Sequence, residues 1–383
     1  MKTEQHILSK LPDVGTTIFT VMSKLGSDCG AINLSQGFPS FDCSKELTDL
    51  IHHYMKKGYN QYAPMTGVPI LREKVAEKTK NVYGISYHPE NEVTITTGAT
   101  EAIYSAITTV VREGDEVIVF EPAYDSYVPA IELNGGIPVF ITLKPPFDID
   151  WDEVKAKINS KTRLILINSP HNPTGKLLTS DDLLALADLV KNTKILLISD
   201  EVYEHIIFDG HQHQSLMLNP ILRERTFVCG SFGKTFHITG WKIGYCLAPE
   251  DLSREFRKIH QFVTFSVVTP IQYALADFLG KPEHYLSLPA FYQKKRDRFL
   301  NAVRHSRFTY TPAQGSFFQI LSYQFITQEN DFDLAVRLTK EIKVASIPVS
   351  SFYSKKNDFK LLRFCFAKSE DELDRAGSIL SSL

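Results

Sequence analysis

Two apolar patterns alternate through the middle of the chain. DEVIVF (115–120), RLILIN (163–168), KILLIS (194–199) and RTFVCG (225–230) are short runs dense in Val, Ile and Leu. Runs of this length without polar alternation predict strands buried on both faces. Between them lie helical patterns such as TSDDLLALADLV (179–190), which opens on a capping residue with acids in its first turn. This alternation predicts an α/β fold in which helices cover a mostly parallel sheet. The last third reads differently. LPAFYQKKRDRFLNAVRHS (288–306) predicts a long amphipathic helix, GSFFQILSY and LLRFCFA predict strands, and SEDELDRAGSILSSL a closing helix. The expected division is a large domain over 46–284 and a smaller α+β domain made of 1–45 and 285–383. No internal repeat or low-complexity linker interrupts it.

Composition narrows the class. With 383 residues, 43% of them hydrophobic, the chain can bury one large core and a smaller one. A net charge of −2, with 22% charged residues, gives no electrostatic footprint for nucleic acid or an anionic membrane. The opening MKTEQHILSKLPDVG has neither the apolar run nor the cleavage site of a secretory signal. No segment has the length and apolarity of a bilayer span. Cys29, Cys43, Cys229, Cys246 and Cys365 are odd in number and scattered, which suits free thiols in a reducing compartment. A soluble, cytoplasmic protein is expected. The pairs HQH (211–213) and HH (52–53) lack further ligands at useful spacing, so no metal site is expected.

Candidate chemistry sits directly after the apolar runs. RLILIN leads into SPHNPTG with Asn172, KILLIS into Asp200, Glu201 and Tyr203, and RTFVCG into Ser231 and Lys234. In open α/β sheets the carboxyl ends of the strands form the ligand crevice, so these side chains are expected on one rim. The stretch GSFGKTFHITGWKIGY (230–245) is not a phosphate loop. That motif needs four residues between its glycines, whereas only two separate Gly230 from Gly233, and Val228 stands where the first glycine belongs.

A different chemistry unites the set. A lysine of depressed pKa forms a Schiff base with an aldehyde. An aspartate keeps a pyridinium nitrogen protonated and makes the ring an electron sink. Tyrosine and asparagine can hold a phenolic oxygen. Together they fit pyridoxal phosphate. A phosphate cup is available where TTGATEAIYSAITTVV (96–111) opens a helix on a glycine, with the amides of Ala99 and Thr100, the Ser231 hydroxyl and the Lys242 charge. Taken singly, each residue has a plainer use: a solvated lysine, an aspartate cap, an edge-strand charge at Arg363.

Nearly end to end, the segments LSQGFPSF, NQYAPMTGVPILRE, EPAYDSY, HNPTGK, SDEVYEHI, SFGKTFHITGWKIGY and LLRFCFA resemble, in order and spacing, the class I (fold type I) pyridoxal-phosphate aminotransferases, in particular the methionine/kynurenine aminotransferase-like branch. The resemblance implies Lys234 as Schiff-base lysine and proton shuttle, Asp200 at the pyridinium nitrogen, and Tyr203 and Asn172 at the ring hydroxyl. It implies Tyr124 stacked on the ring, with Ala99, Thr100, Ser231 and Lys242 at the phosphate. Tyr62 would reach the phosphate from a second subunit of a homodimer with shared sites. Arg363 would fork the substrate's α-carboxylate beside Gly37, which would leave room for it, with Asn172 close by. Lys242 and Gly233 stand where many relatives have arginine and serine, and Tyr124 stands where the aspartate-specific branch has tryptophan.

Relatives acting on aspartate use an arginine from the partner. The matching stretch HQFVTFSVVTP (260–270) supplies Phe265 instead. A neutral, large side chain is therefore expected: methionine first, then the aromatic amino acids, kynurenine or glutamine, with Ile18 and Phe19 as the opposite wall. Two alternatives share the fold, a carbon–sulfur β-lyase and a non-catalytic pyridoxal-phosphate-binding regulator.

Overall fold

The computed structural model describes residues 7–383, so the first six residues of the opening segment lie outside the described residues. The strands in chain order are β1 (Ile32–Asn33), β2 (Val93–Thr96), β3 (Glu116–Glu121), β4 (Ile137–Thr142), β5 (Thr162–Asn168), β6 (Leu196–Asp200), β7 (Thr226–Ser231), β8 (Gly244–Leu247), β9 (Phe318–Ser322), β10 (Val344–Ala345), β11 (Ile347–Pro348) and β12 (Leu361–Cys365). Seven form one sheet in the order β2-β8-β7-β6-β5-β3-β4. All its pairings are parallel except those of β8, which runs antiparallel to both neighbours.

Side-chain alternation explains why the predicted runs contain so little polar residue. Val117, Val119, Leu164 and Leu166 face one apolar layer, with Ile103 and Ala106 of the helix Gly98–Val110. Ile118, Ile165 and Leu197 face the other, with Leu183 and Leu186 of the helix Ser180–Val190. Both faces are covered, so both registers must be apolar. Each such side chain contributes about 1.5–3 kcal/mol by leaving water. Thr179 caps the second helix, its hydroxyl accepting from Asp182 N–H while the Asp182 carboxylate accepts from Thr179 N–H.

The C-terminal third carries the antiparallel sheet β11-β12-β9. The helices Leu288–Val303 and Glu370–Leu380 accompany it. β1 pairs in parallel with β10, tying the N-terminal segment to this third of the chain.

Candidate active site

The rim forms where parallel strands end together. Asn168, last in β5, is in register with Asp200, last in β6, and Asp200 is in register with Cys229 of β7. Asp200 is 5% exposed. Its Oδ2 accepts from the Tyr127 hydroxyl at 2.5 Å and its Oδ1 from Val202 N–H at 3.3 Å. Burial pushes its carboxyl up to about 6, against the opposing pull of those two donors and of the Lys234 charge.

β7 leads into a short helix, Phe232–Thr235, capped by Ser231, whose hydroxyl accepts from Lys234 N–H at 3.4 Å. The Lys234 side chain crosses to the N-terminal segment, where Nζ donates to the Gly37 carbonyl at 2.8 Å. The rings of Tyr203 and Phe317 each have their centroid 5.7 Å from that nitrogen. Burial lowers its amine to about 8, with the charges of Arg363 and Lys242 adding to the effect and Asp200 opposing it.

Arg363 lies on β12, the middle strand of its sheet, and is fully buried. The edge-charge reading is thereby overturned, because no solvent edge exists at that position. Its Nη1 donates to Asn172 Oδ1 at 2.9 Å and its Nη2 to the Ser35 carbonyl at 2.8 Å, while its buried Nε has no partner. The guanidinium carbon lies 3.9 Å from the Phe318 ring centroid and 5.1 Å from those of Phe19 and Phe352. Burial lowers its pKa to about 10.

The helix Gly98–Val110 opens on Gly98 at φ +75°, a conformation a side chain would strain. Its first-turn amides have no intrahelical acceptors and carry the positive end of the helix dipole. Lys242, itself left-handed at φ 52°, lies on the same side.

One cavity of about 270 Å³ is lined by Gly37, Ala99, Thr100, Tyr124, Asn172, Asp200, Tyr203, Ser231, Lys234, Lys242 and Arg363, all anticipated from sequence. Phe19 lines it too; Ile18 does not, packing into the core. A Cβ at Gly37 would meet the Phe318 ring at 2.6 Å, so only glycine lets that ring pack there. Cys229 is fully buried core rather than cavity wall. Tyr62 and Phe265 stand outside the cavity, 80% and 60% exposed, with ring centroids 5.1 Å apart. Of the histidine pairs, His52 and His53 lie in the helix Lys45–Lys56, and His213 bonds Glu201 at 2.8 Å.

Sequence reasoning missed Tyr127, Asn168, Gln36 and Phe318, which also line the cavity. For Asn168 a signal was present, since it ends the apolar run RLILIN at the same rim. Its Oδ1 accepts from Asn172 N–H at 2.8 Å and its Nδ2 donates to the Asp200 carbonyl at 2.9 Å.

The residues present fit pyridoxal phosphate. Asp200 and Arg363 are buried and Lys234 is half-buried, yet none forms an ion pair with another described residue. Uncompensated buried charge is costly and is expected where a charged ligand completes the balance. The cofactor offers matching groups: an aldehyde for the amine, a ring nitrogen for the carboxylate and a phosphate for the helix start.

Fold and site together define a pyridoxal-phosphate-dependent enzyme of fold type I. The profile described as "Aminotransferase class I and II" matches residues 30–380, and the chain belongs to this aminotransferase family. The methionine aminotransferase of Escherichia coli (strain K12) is 50% identical over 377 residues, covering 98% of each chain. The kynurenine–oxoglutarate transaminase of Dictyostelium discoideum is 34% identical, over 96% of this chain and 94% of its own. Among solved structures, an E. coli protein with a methionine aminotransferase function superposes with a TM-score of 0.97 at 49% identity, covering 99% of this chain and 100% of that one. The aspartate aminotransferase of Thermus thermophilus with maleate gives a TM-score of 0.90 at 27% identity, over 99% and 100%.

Proposed function

We propose that this aminotransferase takes the α-amino group from amino acids with large neutral side chains, methionine first, and passes it to a 2-oxo acid. One observation carries the side-chain choice. The cations lining the cavity are Lys234, Lys242 and Arg363. With these committed to the aldehyde, the phosphate and the α-carboxylate, none remains for a second carboxylate, while Phe19, Tyr124 and Phe318 supply aromatic surface. The 50% identity to a methionine aminotransferase supports the same choice.

Bound pyridoxal phosphate supplies an aldehyde that condenses with amines and a ring that delocalises negative charge from the neighbouring carbon. The chain's own groups do the rest. Arg363 binds the α-carboxylate, with Asn172 held against its Nη1. Lys234 Nζ takes the α-proton and returns it, and its lowered pKa leaves a share of free amine near neutral pH. Asp200 sits where it can face the ring nitrogen, and Tyr203 and Asn172 the ring oxygen. The amides of Ala99 and Thr100, Ser231 and Lys242 would hold the phosphate. Tyr124 would pack against the ring.

The shared-site homodimer belongs to the same proposal. Tyr62 and Phe265, in ring contact, are exposed, as are Phe262 (87% exposed) and Val268 (54%) on either side of Phe265 in the chain, which suits a surface for a second copy. There Tyr62 would reach the partner's phosphate and Phe265 its substrate pocket. The two-domain division and a cytoplasmic location complete the reading. No helix among the described residues is long and apolar enough to cross a membrane.

Incubation with pyridoxal phosphate, methionine and a panel of 2-oxo acids tests the activity. A new amino acid together with the oxo acid of methionine is the expected result. Pyruvate and ammonia released from a cysteine conjugate, with no transfer, would instead mean β-elimination.

A further inference from the structure

The Asp200 carboxylate is hydrogen-bonded by a residue outside the set recognised from sequence. Tyr127 opens the short helix Tyr127–Leu133 and is 2% exposed. Its hydroxyl donates to Asp200 Oδ2 at 2.5 Å, and Asp200 is its one hydrogen-bond partner among the described residues. The Asp200 Oδ1 oxygen receives only the longer Val202 N–H contact, at 3.3 Å. Among the described residues Tyr127 is thus the one side chain that donates to this carboxylate. Three residues earlier stands Tyr124, whose ring meets the Tyr127 ring edge-on with centroids 5.6 Å apart. A single turn therefore places the ring-covering residue and the donor that aims the carboxylate.

We propose that Tyr127 is a positioning residue that locks the Asp200 carboxylate in the orientation that meets the ring nitrogen of pyridoxal phosphate and keeps it ionised there. This rests on the functional reading above. A hydrogen bond donated by an enclosed phenol favours the charged carboxylate, offsetting part of the penalty of burial. The other charged and titratable groups acting on Asp200 are Lys234, which favours the anion, and Glu201, which opposes it. The phenol itself stays a donor at working pH, because burial and then the Asp200 charge push it well above its ordinary value.

The test compares wild type, Tyr127→Phe, Asp200→Asn and the double variant, reading the dissociation constant of pyridoxal phosphate and the pH dependence of its visible band. Steady-state kinetics with methionine accompany both. Losing a hydrogen bond to a charged group predicts a cofactor dissociation constant raised about ten-fold in Tyr127→Phe. In the same variant kcat falls about ten-fold, while KM for methionine changes less than about two-fold. On the Asp200→Asn background the substitution should add nothing, since its partner charge is gone. Equal cofactor affinity and an unchanged band in Tyr127→Phe, or a full additive loss in the double variant, would overturn the proposal. If Tyr127→Phe does not purify folded, Tyr127→Met removes the same donor and is read the same way. Should wild type itself take up no pyridoxal phosphate, the functional reading fails instead.

Discussion

The turn from Asp200 to His205 divides its side chains between two buried environments. Asp200 and Tyr203 face the cavity. Glu201 and Glu204 enter networks outside it, and His205 packs beside Glu204 with its Nε2 3.7 Å from that carboxylate. Glu204 accepts from Lys78 Nζ at 2.6 Å, from Tyr83 at 2.6 Å and from Tyr245, and Lys78 also donates to Tyr245 at 2.7 Å. Glu201 is ringed by Ser199, Ser215 and His213 at 2.6–2.8 Å. In the cavity, by contrast, Lys234 and Asp200 form no ion pair with another described residue, and Arg363 Nε has no hydrogen-bond partner among them. The same six residues hold charge that is satisfied and charge that is left for a ligand. Stability is concentrated in the first and reactivity in the second, which is why shifted pKa values and unpaired groups mark sites.

The shifts follow this division. For Glu204, burial would raise the carboxyl, but Lys78, His205 and the bonds from Lys78 and Tyr245 bring it well below its ordinary range. A carboxyl depressed on folding contributes stability above its unfolded pKa and loses it as pH falls. Burial lowers His205 to about 3, so the unfolded chain binds its proton first and acid again erodes stability, from about pH 6.5 downward. Lys234 acts on the alkaline side. Its folded pKa of about 8 lies below the unfolded value of 10.5, so the unfolded chain holds more protons between them. Its penalty is full below about pH 8 and is relieved as pH rises toward 10.5.

Breaking the cavity side should give the largest effect. Lys234→Ala is expected to lower kcat by about 10⁴-fold, the upper range for losing a positioned acid–base group. Borohydride treatment with pyridoxal phosphate should then leave position 234 unlabelled, as peptide mass analysis would show. On the network side, Glu204→Gln strands the Lys78 charge and should lower unfolding free energy by about 3–5 kcal/mol in denaturant titration. Joining it to Lys78→Met should recover most of that loss, because no unpaired charge is then left buried and the Tyr83 and Tyr245 hydroxyls can still bond the amide at position 204. If the double variant is as unstable as Glu204→Gln, the network stabilises by something other than charge pairing. Arg363→Lys keeps the charge but loses the fork. It should raise KM for methionine about ten-fold while leaving cofactor uptake intact.

What the sequence disclosed follows the same line. β5, β6 and β7 were legible because strands covered on both faces must be continuous apolar runs. β2 (VTIT) and β8 (GYCL) were not. Each has four residues, and β8 lies inside a glycine-rich stretch that reads as a loop. Asn172, Asp200, Tyr203, Ser231 and Lys234 were legible because they end or follow apolar runs, whereas Gly37, Tyr124, Lys242 and Arg363 were legible only through the order of segments that the family shares. The Glu204 network was not, since Lys78 sits in the helix PILREKVAEKTKNVY among Glu73, Lys74, Glu77 and Lys80, a pattern that reads as a solvated face. Only the tertiary position of Glu204, more than a hundred residues away, explains why Lys78 is 4% exposed. Tyr127 was hidden for a related reason: a tyrosine in YDSYVPA reads as packing until its distance to Asp200 is known.

The smallest expected effect probes the division most directly, because it asks whether the reactive lysine weakens the protein that holds it. In cofactor-free protein at pH 7, Lys234 is a protonated, half-buried amine whose one hydrogen-bond acceptor among the described residues is the Gly37 carbonyl. Lys234→Met keeps most of the volume and removes the charge. It should stabilise the cofactor-free chain by about 1 kcal/mol at pH 7, a usual gain for relieving a functional strain. The gain should shrink as pH rises from about 8 toward 10.5, where the wild-type amine sheds its proton and its penalty with it. Denaturant midpoints at pH 7, 8, 9 and 10 for both proteins measure this. Converging curves support an amine held at a cost for its chemistry. A constant offset would mean the methionine merely packs better, and parallel, coincident curves would mean that enclosing Lys234 costs the fold nothing.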